Sequence, residues 1–417
     1  MTGNCSKSIS PDSLTGVIFA LEGMRNAVVL LNGPMGCRFY HSTTSRFLMP
    51  RPLLMLPASD GERVPVDYNC LNDWFFRQER VPCTSLDGYD YVYGTKEKVR
   101  EALVYIRDAV AFDLLAIVNS PGAALIGDDL LGTAREVLGS RRTVMVESPG
   151  FSGTYEEGCR EAALALLEQV GTELWKERAP GPRNGKRVNL LGLTVWQRYF
   201  EGDLAELKRL LGLCGLEVNA ALCADCSVDE LARMPEADLN VVLDPETGLA
   251  PARFLQERFE TPYFVCDALP VGFSATEKTF EGICAALGAS CGALLEESRQ
   301  ARALAWYRID QVYATSGRPR GVTFFVQGSA AQEKAYTDFL RDYLGMEPSG
   351  PDQAELIFGD ANLIAEHMLS GRRFCGIEIR LPGMGYIDLV PKTHLGIRGA
   401  LFLIEQVLNG LMSRLQD

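Results

Sequence analysis

The chain has 417 residues, of which 47% are hydrophobic and 23% charged, and its formal net charge at pH 7 is −13. This length exceeds what one domain core usually holds, so it predicts two or three globular domains. The negative charge excludes a broad nucleic-acid-binding face, since phosphate backbones are bound by basic surfaces.

The sequence also carries signals about compartment. No apolar run is long enough to span a membrane, and the opening MTGNCSKSIS has no apolar signal-peptide core. We therefore expect a cytoplasmic protein, in which the 12 cysteines do not form a disulfide framework. Most of the cysteines are expected to be small buried hydrophobic residues.

The first third of the chain alternates short apolar runs with longer amphipathic ones, which is typical of βα units with parallel strands. The predicted strands are NAVVLLNG, YDYVYG, DLLAIVNS and TVMVES. KEKVREALVYIRDAV and DDLLGTAREVLG are predicted helices between them. The charged segment 176–187, rich in Pro and Gly, is interpreted as a linker, so the first α/β domain is expected to cover residues 1–180.

Two further series of the same kind follow. In residues 186–300 the predicted strands are VNLLGLT, LEVNAAL, LNVVLD and TPYFVCD, and a helical stretch is expected over roughly 283–312. In residues 318–417 the predicted strands are GVTFFVQG, AELIFGD and CGIEIR, followed by a C-terminal helix in GIRGALFLIEQVLNGLM. The pattern predicts an α/β protein of three doubly wound, Rossmann-like domains with parallel sheets.

Three glycine-rich loops follow predicted strands of the first domain: NGPMGC, NSPGAALIGDD and ESPGFSGTYEEG. Ligands of doubly wound folds collect at the carboxyl ends of the strands, and glycines allow close backbone approach to a bound group. No loop matches the P-loop pattern, the dinucleotide fingerprint or H-E-x-x-H. Bound nucleotide and histidine-rich metal catalysis are therefore not expected in this chain.

Several cysteines lie in turns instead of core segments. Cys5 is in a polar N-terminal stretch, Cys37 ends the NGPMGC turn, and Cys83 lies in the loop VPCTSLDG. Thiolates in such positions suit iron–sulfur or zinc ligation better than packing. Cys223 and Cys226 form a C-x-x-C pair, which is compatible with half a metal site, a redox pair or ordinary core packing.

These motifs together resemble the nitrogenase component 1 superfamily. LNGPMGCRFY is similar to its GPxGC turn, YVYGTKEKVREAL to its FGG strand–helix junction, and NSPGAALIGDDL to its C-x-P-x-x-IGDD loop. ESPGFSG, LPVGFSATEKTFEGI and HLGIRGALFLIEQVLN resemble later motifs, in the family's order. The resemblance implies three α/β domains per subunit, a dimeric core, and an iron–sulfur cluster near the subunit interface that is reduced by a separate ATP-hydrolysing iron protein.

The resemblance places Cys5 and Cys37 at the first two of the family's cluster cysteines. The third is expected beside Pro121, where this chain has Ser120 and no cysteine. Because two thiolates do not complete a [4Fe–4S] cluster, three completions follow. In a homodimer, each chain could donate Cys5 and Cys37 to one shared cluster, which is the completion that we favour. Alternatively, Cys83 or Ser120 could become a third ligand, or a homologous subunit could supply the remaining ligands.

The same resemblance predicts the substrate region. Asp244 and Tyr386 fall where nitrogenase has the cysteine and histidine that hold its molybdenum cofactor, so reduction of dinitrogen on that cofactor is not expected. The cavity could instead accept an organic substrate such as a tetrapyrrole, or a further metallocluster. Asp244 and His394 are candidate proton donors, and the candidate substrate-binding residues are Arg38, His41, Asn119, Ser120, Lys392 and Arg398.

The leading hypothesis is therefore an enzyme, the catalytic component of a two-component reductase, with its substrate between domains. One alternative is a scaffold on which a metallocluster is assembled, and another is an accessory subunit that pairs with a homologous chain. Because the fold supports many reactions, the sequence does not identify the substrate.

Overall fold

A computed structural model describes residues 11–38, 55–57, 63–65, 81–147, 153–383 and 388–413. The helices are α1 Ser13–Glu22, α2 Gly88–Tyr93, α3 Lys96–Ala109, α4 Pro121–Ala124, α5 Leu130–Leu138, α6 Tyr155–Ala165, α7 Thr172–Glu177, α8 Phe200–Leu213, α9 Val228–Arg233, α10 Pro245–Phe259, α11 Gly272–Leu287, α12 Gly292–Ser316, α13 Ala330–Asp338, α14 Ala361–Leu369 and α15 Gly396–Ser413. The strands are β1 Ala27–Asn32, β2 Met55–Pro57, β3 Arg63–Pro65, β4 Leu114–Asn119, β5 Thr143–Glu147, β6 Arg187–Leu191, β7 Glu217–Ala221, β8 Leu239–Val242, β9 Tyr263–Val265, β10 Thr323–Val326, β11 Glu347–Pro348, β12 Leu356–Gly359 and β13 Cys375–Glu378.

The described residues form two compact units. The first comprises residues 1–179 with 225–232, and the second comprises 180–224 with 233–417. The second unit contains two of the three parallel sheets that the described residues form, and the division into domains 1–180, 186–300 and 318–417 stays a prediction. Among the described residues, no helix is long and apolar enough to cross a membrane.

The sheet of the first unit has the order β1-β4-β5, and all its strands are parallel. β1 and β4 are buried at every position, as expected for strands covered on both faces. Ala27 lies opposite Leu114, and Asn32 lies opposite Asn119. The register therefore brings the two strands to the same edge, where the NGPMGC and NSPGAALIGDD loops begin.

One predicted strand of this unit is wrong. YDYVYG belongs to helix α2, which begins after a capping box: the Asp87 carboxylate accepts from the backbone N–H of Asp90, and the Asp90 carboxylate accepts from the N–H of Asp87. Reciprocal capping stabilises the first helical turn against an extended chain. The chain runs extended beside β1 slightly earlier, where Cys83 pairs in parallel with Leu31.

Helices α1 and α6 cross in direct backbone contact. A Cβ atom on Gly16 would lie 2.0 Å from the carbonyl oxygen of Tyr155, and one on Gly158 would lie 1.9 Å from that of Ser13. Only glycine permits this approach, which no predicted element anticipated. The contact fixes the start of α1, where Asp12 caps the helix by accepting from the N–H of Thr15.

The second unit contains two four-stranded parallel sheets, with the orders β7-β6-β8-β9 and β11-β10-β12-β13. One continuous apolar core includes residues of both series, such as Leu190, Phe280 and Phe358. The helical stretch predicted over 283–312 is interrupted: α11 ends at the left-handed Gly288, and α12 then runs from Gly292 to Ser316. The parallel strands and the helices between them confirm the predicted α/β class.

Candidate functional site

Cys37 lies in a tight turn directly after the buried strand β1. Gly33 follows the strand, and the N–H of Cys37 donates to the carbonyl oxygen of Pro34, 3.1 Å away, inside a short helical turn over Met35–Arg38. A Cβ atom on Gly33 would lie 2.8 Å from both Cβ and Oγ of Ser120, and 3.8 Å from Cβ of Cys37. Because Gly33 has no side chain, Ser120 and Cys37 can both lie close to its backbone.

The segment around Cys83 extends the same edge of the sheet. The N–H of Leu31 donates to Pro82, the N–H of Thr84 donates back to Leu31, and the N–H of Leu86 donates to Gly33, all at 2.9 to 3.0 Å. The Cys83 thiol donates to the carbonyl oxygen of Gly33 at 3.2 Å. Cys37, Cys83 and Ser120 are thus gathered around the single residue Gly33.

Ser120 lies beside Pro121, where the resemblance to the family predicts the missing cysteine. Its backbone N–H donates to the carbonyl of Asn32 at 2.9 Å, which holds the residue at the end of β4. The side chain is 1% exposed, and its Oγ has no hydrogen-bond partner among the described residues. A buried hydroxyl without a partner is costly in a folded protein, and such an atom is often explained by an ion or group that binds beside it.

A buried polar network holds these loops together. The Asn32 amide donates to Asn119 Oδ1 at 2.9 Å and to Thr95 Oγ1 at 3.1 Å, and its oxygen accepts from Thr84 Oγ1 at 3.0 Å. The carboxylate of Asp128 in turn accepts from the hydroxyl of Thr95 at 2.9 Å. The sequence predicted Asn119 as substrate-binding; in the structure its amide oxygen is engaged in this network, and its substrate role stays a prediction.

The electrostatics around the two thiols follow from burial. Burial raises the pKa of Cys37, and interactions with Cys83 and Asp12 raise it further. Burial also raises the pKa of Cys83, while the N–H of Ser85, 3.4 Å from its sulfur, and the Arg38 guanidinium oppose that shift. Arg38 is itself 2% exposed, with Nη1 donating to Val81 at 3.2 Å. A buried cation therefore lies near Cys83, whose thiol would be anionic as a metal ligand.

The donor set is chemically suited to an iron–sulfur cluster. Thiolates are the usual ligands of such clusters, and N–H groups directed at the sulfur atoms tune them. Among the residues that the structure describes, no three His, Cys, Asp or Glu side chains are arranged to hold a metal ion. The described part of the site thus offers two thiols and one hydroxyl, fewer than a cluster needs. Cys5 and His41, also predicted as site residues, lie outside the described residues.

His394, the predicted proton donor of the second unit, is 2% exposed, and both of its ring nitrogens are hydrogen-bonded. Nε2 lies 2.6 Å from the acceptor Oε1 of Gln406, which makes Nε2 the protonated nitrogen, and Nδ1 accepts from the Tyr336 hydroxyl at 2.7 Å. Burial lowers the pKa of His394 to about 4. The ring is neutral near pH 7 in this arrangement, and its catalytic role stays a prediction.

Asp203, which the sequence did not single out, positions the loop that carries His394. Its Oδ1 accepts from the Thr393 hydroxyl at 2.7 Å, the His394 N–H at 2.9 Å and the Leu395 N–H at 3.2 Å. Burial raises the pKa of Asp203 to about 6 in spite of these donors. A cavity of about 10 Å³, lined by Tyr199, Asp203, Tyr336 and His394 among others, is the size of one water molecule.

Asp244, the other predicted proton donor, caps helix α10. Its Oδ1 accepts from the N–H of Glu246 at 2.9 Å, and its Oδ2 accepts from the hydroxyl of Ser329 at 3.3 Å. Ser329 is the cap of α13, the helix that also carries Tyr336. Asp244 and His394 are therefore both linked to α13, and the catalytic role of Asp244 stays a prediction.

The two predicted cations near the C-terminal helix are placed differently from each other. Lys392 is ion-paired to Asp388 at 2.8 Å, and Asp388 also pairs with the buried Arg198. The Arg398 side chain is 67% exposed, and its ion pair with Glu206 is long, at 3.9 Å. The substrate-binding roles of Lys392 and Arg398 stay predictions.

The C-x-x-C pair is buried. Cys223 is 5% exposed and Cys226 is 0% exposed. The Cys226 thiol donates to the carbonyl of Ser227 at 3.5 Å. This burial agrees with ordinary core packing, one of the three alternatives that the sequence left open.

Comparison with known proteins connects this geometry to a family. Residues 13–351 match the family model described as nitrogenase component 1 type oxidoreductase. One subunit of the light-independent protochlorophyllide reductase of Synechococcus sp. (strain CC9311) is 29% identical over 289 residues, which cover 66% of this chain and 53% of that protein. The nitrogenase molybdenum-iron protein alpha chain of Methanothermobacter thermautotrophicus is 26% identical over 268 residues, covering 63% and 51%.

The fold is similar to that of a solved protein over nearly the whole chain. The structure described as "Nitrogenase Cp1 at pH 6.5" superposes with a TM-score of 0.74 at 15% sequence identity, covering 97% of this chain and 93% of the other. The chain spans about half the length of the curated relatives that it matches. The likeness at this identity concerns the fold and not the reaction.

Proposed function

Because the chain belongs to the nitrogenase component 1 type oxidoreductases, we propose that it is the iron–sulfur component of a two-component reductase. The observation that carries the proposal is the turn at Gly33, where Cβ of Cys37 and the buried Oγ of Ser120 lie 3.8 and 2.8 Å from the position that a Cβ on residue 33 would take. That Oγ has no hydrogen-bond partner among the described residues. In this proposal the Cys37 thiolate, with Cys5, holds an iron–sulfur cluster of the [4Fe–4S] type. The cluster supplies one-electron transfer.

The partners of the proposed enzyme are inferred by analogy with its family. Electrons come from an ATP-hydrolysing iron protein, since this chain has no P-loop of its own. A second copy of the chain, or a homologous subunit, provides the remaining cluster ligands, as a two-fold axis allows. The protein works in the cytoplasm, where its thiols remain reduced.

The substrate is bound by the second unit in this proposal. Asp244 and His394 are both linked to helix α13, and proton delivery during reduction is assigned to them. The buried aromatic ring of Tyr199 packs edge-on against His394 at 4.9 Å. Such a setting excludes bulk water from the His394 ring, and the cavity beside it, of about 10 Å³, holds no more than one water molecule, so the substrate itself binds outside this cavity.

The proposal is tested by anaerobic purification with iron and sulfide analysis and electron paramagnetic resonance (EPR) of wild type and Cys37→Ala. We expect Cys37→Ala to lose the cluster and its EPR signal. Cys159→Ala is the matched control, because Cys159 is a buried thiol of the same unit that also donates to a backbone carbonyl, that of Gly16 at 3.4 Å. Full iron and an unchanged spectrum in Cys37→Ala would refute the cluster assignment.

Turnover is a separate test. Addition of an iron protein, ATP and substrate should give substrate-dependent ATP hydrolysis. A cluster that transfers to an acceptor protein without any turnover would instead indicate an assembly scaffold. A chain that binds iron only when a homologue is co-expressed would indicate an accessory subunit.

A further inference from the structure

We infer that Cys83 is a ligand of the cluster together with Cys37, and that it replaces the family cysteine that is absent at Ser120. This inference rests on the proposed function, because it concerns the same cluster. The resemblance to the family places no cluster cysteine at position 83. It is the local structure of this chain that brings Cys83 to the turn.

The backbone of Cys83 is fixed on both sides by strand β1. The flanking residues Pro82 and Thr84 both hydrogen-bond to Leu31. The Thr84 hydroxyl accepts from the N–H of Gly33 at 3.1 Å, which ties the same segment to the Cys37 turn. Cys83 is thus held at the carboxyl end of β1, the edge from which the Cys37 turn also begins.

Three side chains converge on Gly33. Cys83 Sγ lies 3.2 Å from the carbonyl oxygen of Gly33, while Ser120 and Cys37 are the groups that a side chain on Gly33 would meet. The Oγ of Ser120 is buried and has no hydrogen-bond partner in the described part of the chain, and it marks the position that the family's third cysteine would fill. A polar atom left unpaired there is accounted for by a bound group that accepts its hydrogen bond.

Of the two candidate ligands, Cys83 is chemically the better suited. A thiolate binds iron of a cluster far more readily than a serine hydroxyl does. The sulfur of Cys83 already accepts from the N–H of Ser85 at 3.4 Å, the kind of contact that cluster cysteines receive. The buried Arg38 guanidinium beside it offsets the negative charge that a second thiolate would add. The hydroxyl of Ser120 is then left as a hydrogen-bond donor to the cluster.

Binding of Cys83 to iron would remove one hydrogen bond of this residue and would leave every oxidation state unchanged. The Cys83 thiol releases its proton to solvent, and the thiolate forms an Fe–S bond in place of an exchangeable ligand on iron. The hydrogen bond to the Gly33 carbonyl is lost with that proton, whereas the N–H of Ser85 continues to donate to the sulfur. No electron is transferred in this step.

The experiment compares Cys83→Ala, Cys83→Ser and Ser120→Ala with wild type and Cys159→Ala after anaerobic reconstitution with ferrous iron and sulfide. Iron per chain and the EPR spectrum are measured, and circular dichroism checks that each variant is folded. We expect Cys83→Ala to lose most of its iron. Cys83→Ser should retain a cluster with shifted g-values, because an oxygen replaces one sulfur on iron. Ser120→Ala and Cys159→Ala should retain their iron.

The inference would be overturned, without affecting the proposed function, if both Cys83 variants had the iron content and EPR spectrum of wild type. It would also be overturned if Ser120→Ala lost its iron while Cys83→Ala kept its iron. Equal loss of iron from Cys83→Ala and Cys159→Ala would also count against it, because the loss would then be structural. The proposed function fails separately, if Cys37→Ala keeps its iron. If Cys83→Ala does not fold, the spectrum of Cys83→Ser decides.

Discussion

Substitution of Gly33 by alanine tests whether the turn is built to bring Ser120 and Cys37 together. The added Cβ would lie 2.8 Å from both Cβ and Oγ of Ser120, whereas ordinary contacts begin near 3.4 Å, so about 0.6 Å must be gained by movement. Ser120 yields with difficulty, because its N–H is bound to Asn32 and its carbonyl accepts from Ala124, both at 2.9 Å. Overpacking of this kind costs about 1–3 kcal/mol.

The assay is thermal unfolding of the metal-free protein, followed by iron content after reconstitution. A cost of about 1–3 kcal/mol lowers Tm by about 2 to 12 °C in a unit of this size. We also expect reduced iron, because the Cys37 turn and the Cys83 segment are both attached to residue 33. Gly36→Ala is the matched control, since a Cβ on Gly36, in the same turn, meets no atom of the described residues within 4 Å. Gly33→Ala with wild-type Tm and iron, or equal effects of the two variants, would refute the reasoning.

Three further predictions concern stability. Gly158→Ala places a Cβ 1.9 Å from the backbone of α1 and should lower the free energy of unfolding by about 3 kcal/mol or more, measured by urea titration. Arg198→Met removes the cation that pairs with the buried Glu378 and one of the two cations that pair with Asp388, and it should cost about 3–5 kcal/mol. Lys334→Met, in an exposed pair, should cost less than about 1 kcal/mol in the same titration. Burial raises the pKa of Asp203 to about 6, so the folded state is stabilised by about 3 kcal/mol at low pH, and this stabilisation is lost as pH rises from about 4 to 6. The pKa of His394 is lowered to about 4, so its contribution to the free energy of unfolding is instead lost as pH falls from about 6.5 to 4. Asp203→Asn keeps the Oδ1 acceptor and removes the contribution of Asp203. The free energy of unfolding, measured at a series of pH values, should therefore fall more steeply on acidification in Asp203→Asn than in wild type. Equal slopes of the free energy against pH in the two proteins would contradict this.

The sequence predicts the α/β class because burial on both faces of a parallel strand leaves a clear apolar run. β1 and β4 are such runs, and each was predicted close to its observed bounds. The prediction of a strand in YDYVYG was wrong for the opposite reason. Its alternating tyrosines are typical of a strand, but the side chains of Tyr89 and Tyr93 are about 70% exposed, and the decisive signal was the reciprocal capping by Asp87 and Asp90.

The candidate site was predictable only in part. The turn signal at Gly33 and the position of Cys37 are local properties of the sequence, and the resemblance identified Ser120 as the residue that stands in place of a cysteine. The approach of Cys83 depends on a parallel pairing with Leu31, far away in the chain, which no local pattern encodes. Asp203 was missed because its role, three hydrogen bonds to the loop of His394, is visible only in three dimensions.

The number of thiolates that each chain supplies determines how the chains assemble around the cluster. A cluster on the two-fold axis of a homodimer receives the same ligands from each chain, so a [4Fe–4S] cluster takes two thiolates per chain. If the two are Cys37 and Cys83, which meet at Gly33, Cys5 is dispensable and about two irons are bound per chain.

If Cys5, Cys37 and Cys83 all bind iron, each chain holds its own cluster with about four irons and one position completed from outside. Iron analysis of Cys5→Ala, with the oligomeric state measured by light scattering, distinguishes the two. Retained iron at about two per chain in a dimer supports the shared cluster. Loss of iron from Cys5→Ala would contradict a cluster shared through Cys37 and Cys83 alone, because that pair leaves no place for a third thiolate from the same chain, and it would agree with ligation by Cys5.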